Sequence, residues 1–152
     1  MDENTSVNCK LTDFGSARNI NLLMTNLTFT KGIGTPMYMS PEIINQQKYK
    51  HPADIYSFAI VMYEVFGWCE PFPKNQVKFP WKIAEFVIDG KRPPKVSEIS
   101  ESQYKLIDQC WCHHPKERLK IEDVVSSLET QLNHMNDNTE NNNQNEEIIQ
   151  FI

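Results

Sequence analysis

No run of apolar residues in this 152-residue chain is longer than Phe58–Tyr63, far short of the roughly 20 that a bilayer-crossing helix needs. Basic residues are not in surplus either. Lys and Arg number 15 against 20 Asp and Glu, and none lies beyond Lys120, so the electrostatic footprint of a nucleic-acid binder is missing. Residues 1–132 hold 16 acids and 15 bases, whereas residues 133–152 hold 4 acids and no base. Cysteine is scarce: Cys9, Cys69, Cys110 and Cys112, with no secretory leader in front of them. That usage suggests a reduced, cytoplasmic setting rather than a disulfide framework. Glycine is scarcer than average, with 5 in all, and the one promising pair fails: Gly32-Ile33-Gly34 is followed at position 37 by Met, so the G-x-G-x-x-G phosphate loop is absent. What is present, 39% apolar and 23% charged residues, is ordinary for one globular domain with a core of its own.

The chain is organised around the stretch Pro52–Gly67. Ile55, Phe58, Ala59, Met62 and Phe66 recur at helical spacing. Ile60, Val61 and Val65 extend the apolar surface around most of the circumference, which predicts a helix buried in a core. Pro52 suits the first turn, Asp54 the positive end of the dipole, and Gly67 a C-terminal cap. Asp54 is the polar exception, since an acid on a buried helix must find donors.

Upstream, Val7–Leu11 alternates like a short strand and leads into Asp13-Phe14-Gly15. Residues 16–35 show no sustained period, and a loop of that length is usually functional or disordered. Ser40-Pro41-Glu42 reads as a cap, a first-turn proline and a dipole-facing acid, predicting a short helix to about Asn45. Trp68 to Pro80 is broken by prolines into a loop. Ile83, Phe86 and Val87 form the stripe of a further helix ended by Gly90. Ser100 with Gln103 makes a capping box and Ile99 with Tyr104 a hydrophobic staple, opening a helix to about Trp111. Ile121, Val124, Val125, Leu128 and Leu132 define a last amphipathic helix. The Asn- and acid-rich stretch that follows predicts a disordered tail, so the expected organisation is a folded part over 1–132 and a low-complexity tail over 133–152.

Taken together, four separated stretches resemble the C-terminal lobe of a eukaryotic protein kinase. They are Lys10-Leu11-Thr12-Asp13-Phe14-Gly15, then Gly34-Thr35 to Ser40-Pro41-Glu42, then Asp54-Ile55-Tyr56-Ser57-Phe58, and Cys110-Trp111 with Pro115 and Arg118. The resemblance covers most of residues 7–132 but only about the second half of such a domain. It implies a mainly α fold, a helical C-lobe with a short N-terminal strand or hairpin remnant. Gly34-Thr35 looks like the serine/threonine branch, and the Trp-rich C-terminal part like the tyrosine-kinase-like branch.

The resemblance implies roles residue by residue. Asp13 would hold Mg²⁺ against the nucleotide phosphates, with Phe14 and Gly15 completing the nucleotide-side motif. Residues 16–33 would be the activation loop, with Thr25, Thr28 and Thr30 as phosphorylation candidates. Gly34 and Thr35 would form the substrate platform, Glu42 would pair with Arg118, Asp54 would accept hydrogen bonds from the catalytic loop, and Trp111 would anchor the core. Ala59, Ser40 and Leu119-Lys120 stand where the family more often has Gly, Ala, and Pro with a capping residue.

No His-Arg-Asp tripeptide, no Val-Ala-Ile-Lys-like strand and no glycine-rich loop occur in this sequence. Phosphoryl transfer depends on those groups acting together. The expectation is therefore a truncated kinase, inactive alone, whose intact parent uses Mg²⁺ and ATP to phosphorylate Ser or Thr of protein substrates. The alternative is a stand-alone, non-catalytic interaction module of pseudokinase type. Surface left bare by the absent half should promote self-association. A zinc site at Cys110-Trp111-Cys112-His113-His114 is disfavoured, because adjacent helical side chains diverge and the C-x₂₋₄-C spacing is lacking.

Overall fold

The computed structural model describes residues 9–14, 36–73 and 79–149. The chain divides into two compact units, residues 1–33 and 34–152. Of the first, the described piece is Cys9–Phe14, which contains no strand. The strand expected over Val7–Leu11 therefore has no ladder where it is described, and a strand without a hydrogen-bonded neighbour gains little.

In the second unit all regular structure among the described residues is helical. Five helices follow one another: α1 (Pro41–Ile44), α2 (Pro52–Gly67), α3 (Pro80–Ile88), α4 (Glu101–Cys110) and α5 (Ile121–Ile149). Single 3₁₀ turns occupy Pro36–Tyr38 and Pro115–Glu117. Helix α2 is the pillar: α4 and both 3₁₀ turns lie against it, while α3 packs on the Pro36–Tyr38 turn and on α1, and α5 on α4.

The buried side of α2 carries Ile55, Tyr56, Ala59, Ile60, Met62 and Tyr63. Burying a side chain such as Ile60 contributes about 1.5–3 kcal/mol, which makes this face the main source of stability. The helix is not buried all round, however. Phe58, Val61, Val65 and Trp68 are 37%, 40%, 57% and 90% exposed, so Phe58, expected on the inner stripe, faces outward. The inner side is taken instead by Tyr56, against Arg92 and Arg118, and by Tyr63, against Trp111.

Gly67 is the last helical residue rather than the cap. The left-handed position falls on Trp68, at φ 46° and ψ 35°. A Cβ on Gly67 would meet Cys69 Sγ and Val96 Cγ2 at 3.1 Å and Ile99 Cδ1 at 3.3 Å. The glycine is there for close approach, not for its backbone freedom. Gly90, by contrast, has φ 77° and closes α3 as the sequence predicts.

Helix α4 begins with the full capping box. Ser100 Oγ accepts from the Gln103 amide at 3.2 Å, and the Ser100 amide donates to Gln103 Oε1 at 2.9 Å. Ser40 precedes α1 without such a bond; its hydroxyl is buried. Of the five residues of the expected stripe in α5, Val124 is fully buried and Leu128 partly so, while Ile121, Val125 and Leu132 are exposed. The helix also runs past Leu132 to Ile149, through the stretch expected to be disordered. That stretch contains no Gly or Pro, so nothing stops the propagation of backbone hydrogen bonds once the helix is nucleated. No described helix is long and apolar enough to cross a membrane.

Candidate functional site

Asp13 and Phe14 lie in the first unit. Asp13 takes a left-handed backbone with φ 59°, a conformation Asp tolerates better than most residues. Both side chains are exposed. Asp13 is the one acid within Cys9–Phe14, and a carboxylate is the kind of ligand that Mg²⁺ would take. Gly15, Thr25, Thr28, Thr30, Gly34 and Thr35 lie outside the described residues.

The second unit contains a well-defined polar centre. Glu42, on the first turn of α1, meets Arg118, which follows the Pro115–Glu117 turn. Arg118 Nη1 donates to Glu42 Oε1 at 2.7 Å and Nη2 to Oε2 at 2.8 Å. The other donors are also used: Nη1 to the Pro52 carbonyl at 2.8 Å, Nη2 to His113 O at 3.2 Å and Nε to Cys112 O at 2.9 Å. Guanidinium offers five N–H donors, and each has an acceptor. Burial alone would raise the Glu42 pKa. The hydrogen bonds and charge of Arg118, with backbone donors, hold it below the usual carboxylate range.

Around this pair the segment before α1 is tied to α2. Ser57 Oγ donates to the Tyr38 carbonyl at 2.8 Å, and the Tyr38 hydroxyl donates to both oxygens of Glu64 at 3.1 and 3.2 Å. Burial, and then the Glu64 carboxylate, raise the Tyr38 pKa. The turn that continues from Gly34 and Thr35 is thus fastened to the pillar at two points. None of Ser57, Tyr38 and Glu64 was singled out from the sequence. A serine and an acid interrupting an otherwise apolar helix were the available signals.

The Asp54 amide, in the first turn of α2, donates to the His51 carbonyl at 3.0 Å, while the Asp54 carboxylate has no hydrogen-bond partner among the described residues. It sits at the surface with protein crowded on one side, which raises its pKa, while His51 opposes the shift. Trp111 is buried, donates Nε1–H to Asp108 Oδ1 at 3.0 Å, and lies 5.9 and 6.0 Å from the rings of Tyr63 and Tyr104. Those tyrosines reach on to the carbonyls of Pro94 and Pro93 at 2.9 and 3.0 Å. Among the described residues no three of His, Cys, Asp and Glu gather as a metal site. Burial pushes the Cys110 thiol up to about 12, and Cys112 Sγ turns instead to the Asp108 carbonyl.

The arrangement is a buried clamp, with one exposed carboxylate upstream in sequence. A family model described as "Protein kinase domain" matches residues 1–128. A protein of Acanthamoeba polyphaga mimivirus named as a serine/threonine-protein kinase/receptor is 37% identical over 127 residues, covering 84% of this chain and 7% of that protein. A Dictyostelium discoideum protein named as a LIM domain-containing serine/threonine-protein kinase is 33% identical over 119 residues, 78% of this chain and 17% of its own length. Another from the same organism, named as a dual specificity protein kinase, is 30% identical over 131 residues, 85% of this chain and 25% of its own. The chain therefore spans a quarter or less of the length of each of these relatives. With a match across most of its residues and a helical lobe built on α2, the chain belongs to the protein kinase domain family.

Proposed function

We propose that this chain is the lower half of a serine/threonine protein kinase domain, contributing the acceptor platform, its clamp and one metal-binding carboxylate. The observation that carries this reading is the buried Glu42–Arg118 pair, which pins the segment after Thr35 to the end of the helical lobe. In a complete domain Asp13 would hold Mg²⁺ and ATP would be the phosphoryl donor, with a protein Ser or Thr as acceptor. Thr25, Thr28 and Thr30 are the positions where added phosphate would reorganise the activation segment. Alone, the chain transfers no phosphate, because the sequence offers no catalytic base and no phosphate-gripping lysine. Its unpaired cysteines fit a cytoplasmic location.

The test is phosphotransfer and Mg·ATP binding on the purified 152-residue chain with a generic protein acceptor. We expect neither above background, and measurable turnover would overturn the proposal. A second reading, a non-catalytic interaction module, draws on the hydrophobic core that gathers residues between Met37 and Leu128. A cooperatively folding monomer in light scattering favours the module, and oligomers formed through the bare side of α2 favour the half-domain.

A further inference from the structure

Tyr56 is fully buried, and two guanidinium groups lie against its ring. Arg92 Cζ is 5.1 Å from the ring centroid and Arg118 Cζ 5.2 Å. Arg118 is the partner of Glu42, whereas Arg92 belongs to the loop after α3. Arg92 Nε donates to the Trp111 carbonyl at 2.9 Å, and Nη1 to the carbonyls of Lys91 at 2.7 Å and Val87 at 3.3 Å. One side chain thus joins the end of α3 to the end of α4 and closes on the ring that also borders the clamp.

We propose that Arg92 is a positioning residue for the Glu42–Arg118 pair, acting through the Tyr56 ring. The face of an aromatic ring attracts a cation within about 6 Å of its centroid, so the ring is held by both arginines and in turn fixes the plane in which Arg118 lies. A bidentate guanidinium–carboxylate contact depends on that plane. Without Arg92 the ring loses one of the two groups that fix its tilt, and Arg118 loses a rigid wall. Lysine is no substitute: a point charge with three donors cannot lie flat on the ring while it bonds the ends of two helices. The consequence is a connection between the α3–α4 surface and the segment that carries the acceptor platform. Arg92 and Glu42 themselves share no hydrogen bond.

This inference rests on reading the pair as the anchor of the platform, but its readout is amide exchange, so loss of the kinase reading leaves it standing. Hydrogen exchange is measured on the full chain for wild type, Arg92→Lys, Glu42→Gln and their combination. Arg92→Lys keeps the charge and is the variant expected to stay folded. We expect the Ile43, Ile44 and Asn45 amides, bonded to Ser40 and Pro41 carbonyls, to exchange at least fivefold faster. The Val124 amide, bonded to Lys120 O, should be unchanged. In the Glu42→Gln background the increment from Arg92→Lys should vanish. Tyr56→Phe, which keeps the ring, should preserve wild-type rates in α1. Acceleration confined to Trp111 and the end of α3, uniform acceleration across the chain, or an increment that persists without Glu42 would each overturn the proposal.

Discussion

Arg118 and Glu42, 76 positions apart in sequence, meet edge to edge through two parallel hydrogen bonds of 2.7 and 2.8 Å. The remaining guanidinium donors go to the carbonyls of Pro52, Cys112 and His113. One side chain therefore binds α1, the start of α2 and the segment following α4. The cost of burying the charge is offset because every donor is matched, the condition under which a buried ion pair holds.

Glu42→Gln leaves the guanidinium buried without its counter-charge. Breaking one partner of such a pair typically costs about 3–5 kcal/mol, and we expect a loss of that order in urea unfolding. Arg118→Lys, with Glu42 intact, should retain only part of the stabilisation, since three ammonium donors cannot serve five acceptors. A loss under 1 kcal/mol for Glu42→Gln would show that the pair is not a clamp.

The pair also fixes the response to acid. The folded-state pKa of Glu42 lies below its ordinary value, so its contribution is fully present above the unfolded value of about 4.3. It is lost as pH falls through the folded pKa. Unfolding free energy followed from pH 6 downwards should fall more steeply in wild type than in Glu42→Gln, and parallel curves would contradict the assignment.

Gly67→Ala sets two effects against each other. Alanine favours a helix over glycine by about 1 kcal/mol. The new methyl, however, would press on Cys69, Val96 and Ile99 at 3.1–3.3 Å, and overpacking of this kind typically costs about 1–3 kcal/mol. Three neighbours would have to yield together, so we expect a lower Tm in thermal melts. A raised Tm would mean that the loop after α2 relaxes freely.

Val65→Lys probes the bare side of α2. The position is more than half exposed, and surface substitutions away from special features usually stay within about 0.5 kcal/mol. Stability should hold while self-association, read by light scattering, falls. If the variant associates as strongly as wild type, the stripe of Phe58, Val61, Val65 and Trp68 is not the contact.

Much of the fold is legible from residue order because its signals are local. Pro52 opens α2, Gly90 closes α3, and Ser100 with Gln103 opens α4; each acts on backbone groups within one turn. Glu42 and Arg118 are different, since no local signal joins them and only the resemblance to kinases implied their pairing. Arg92, Tyr38, Ser57 and Glu64 carry no local mark because their partners lie 19 or more residues away, apart from the contacts of Arg92 with Val87 and Lys91 and of Ser57 with the Ala53 carbonyl. The inner face of α2 departs from the predicted stripe at Phe58. Apolar residues all round a helix leave its orientation undetermined; on the inner side stand Tyr56, against two guanidinium groups, and Tyr63, which reaches Trp111 and the Pro94 carbonyl.

By itself the sequence determined where most helices start, the membership of a family through four ordered motifs, and the absence of a His-Arg-Asp tripeptide. Those depend on short-range backbone chemistry and on which residue types are present. Only the tertiary structure decided which side of α2 is buried, which carbonyls Arg118 collects and which ring stands between the two arginines. Such contacts form between elements distant along the chain, and their geometry comes into being only when the elements pack.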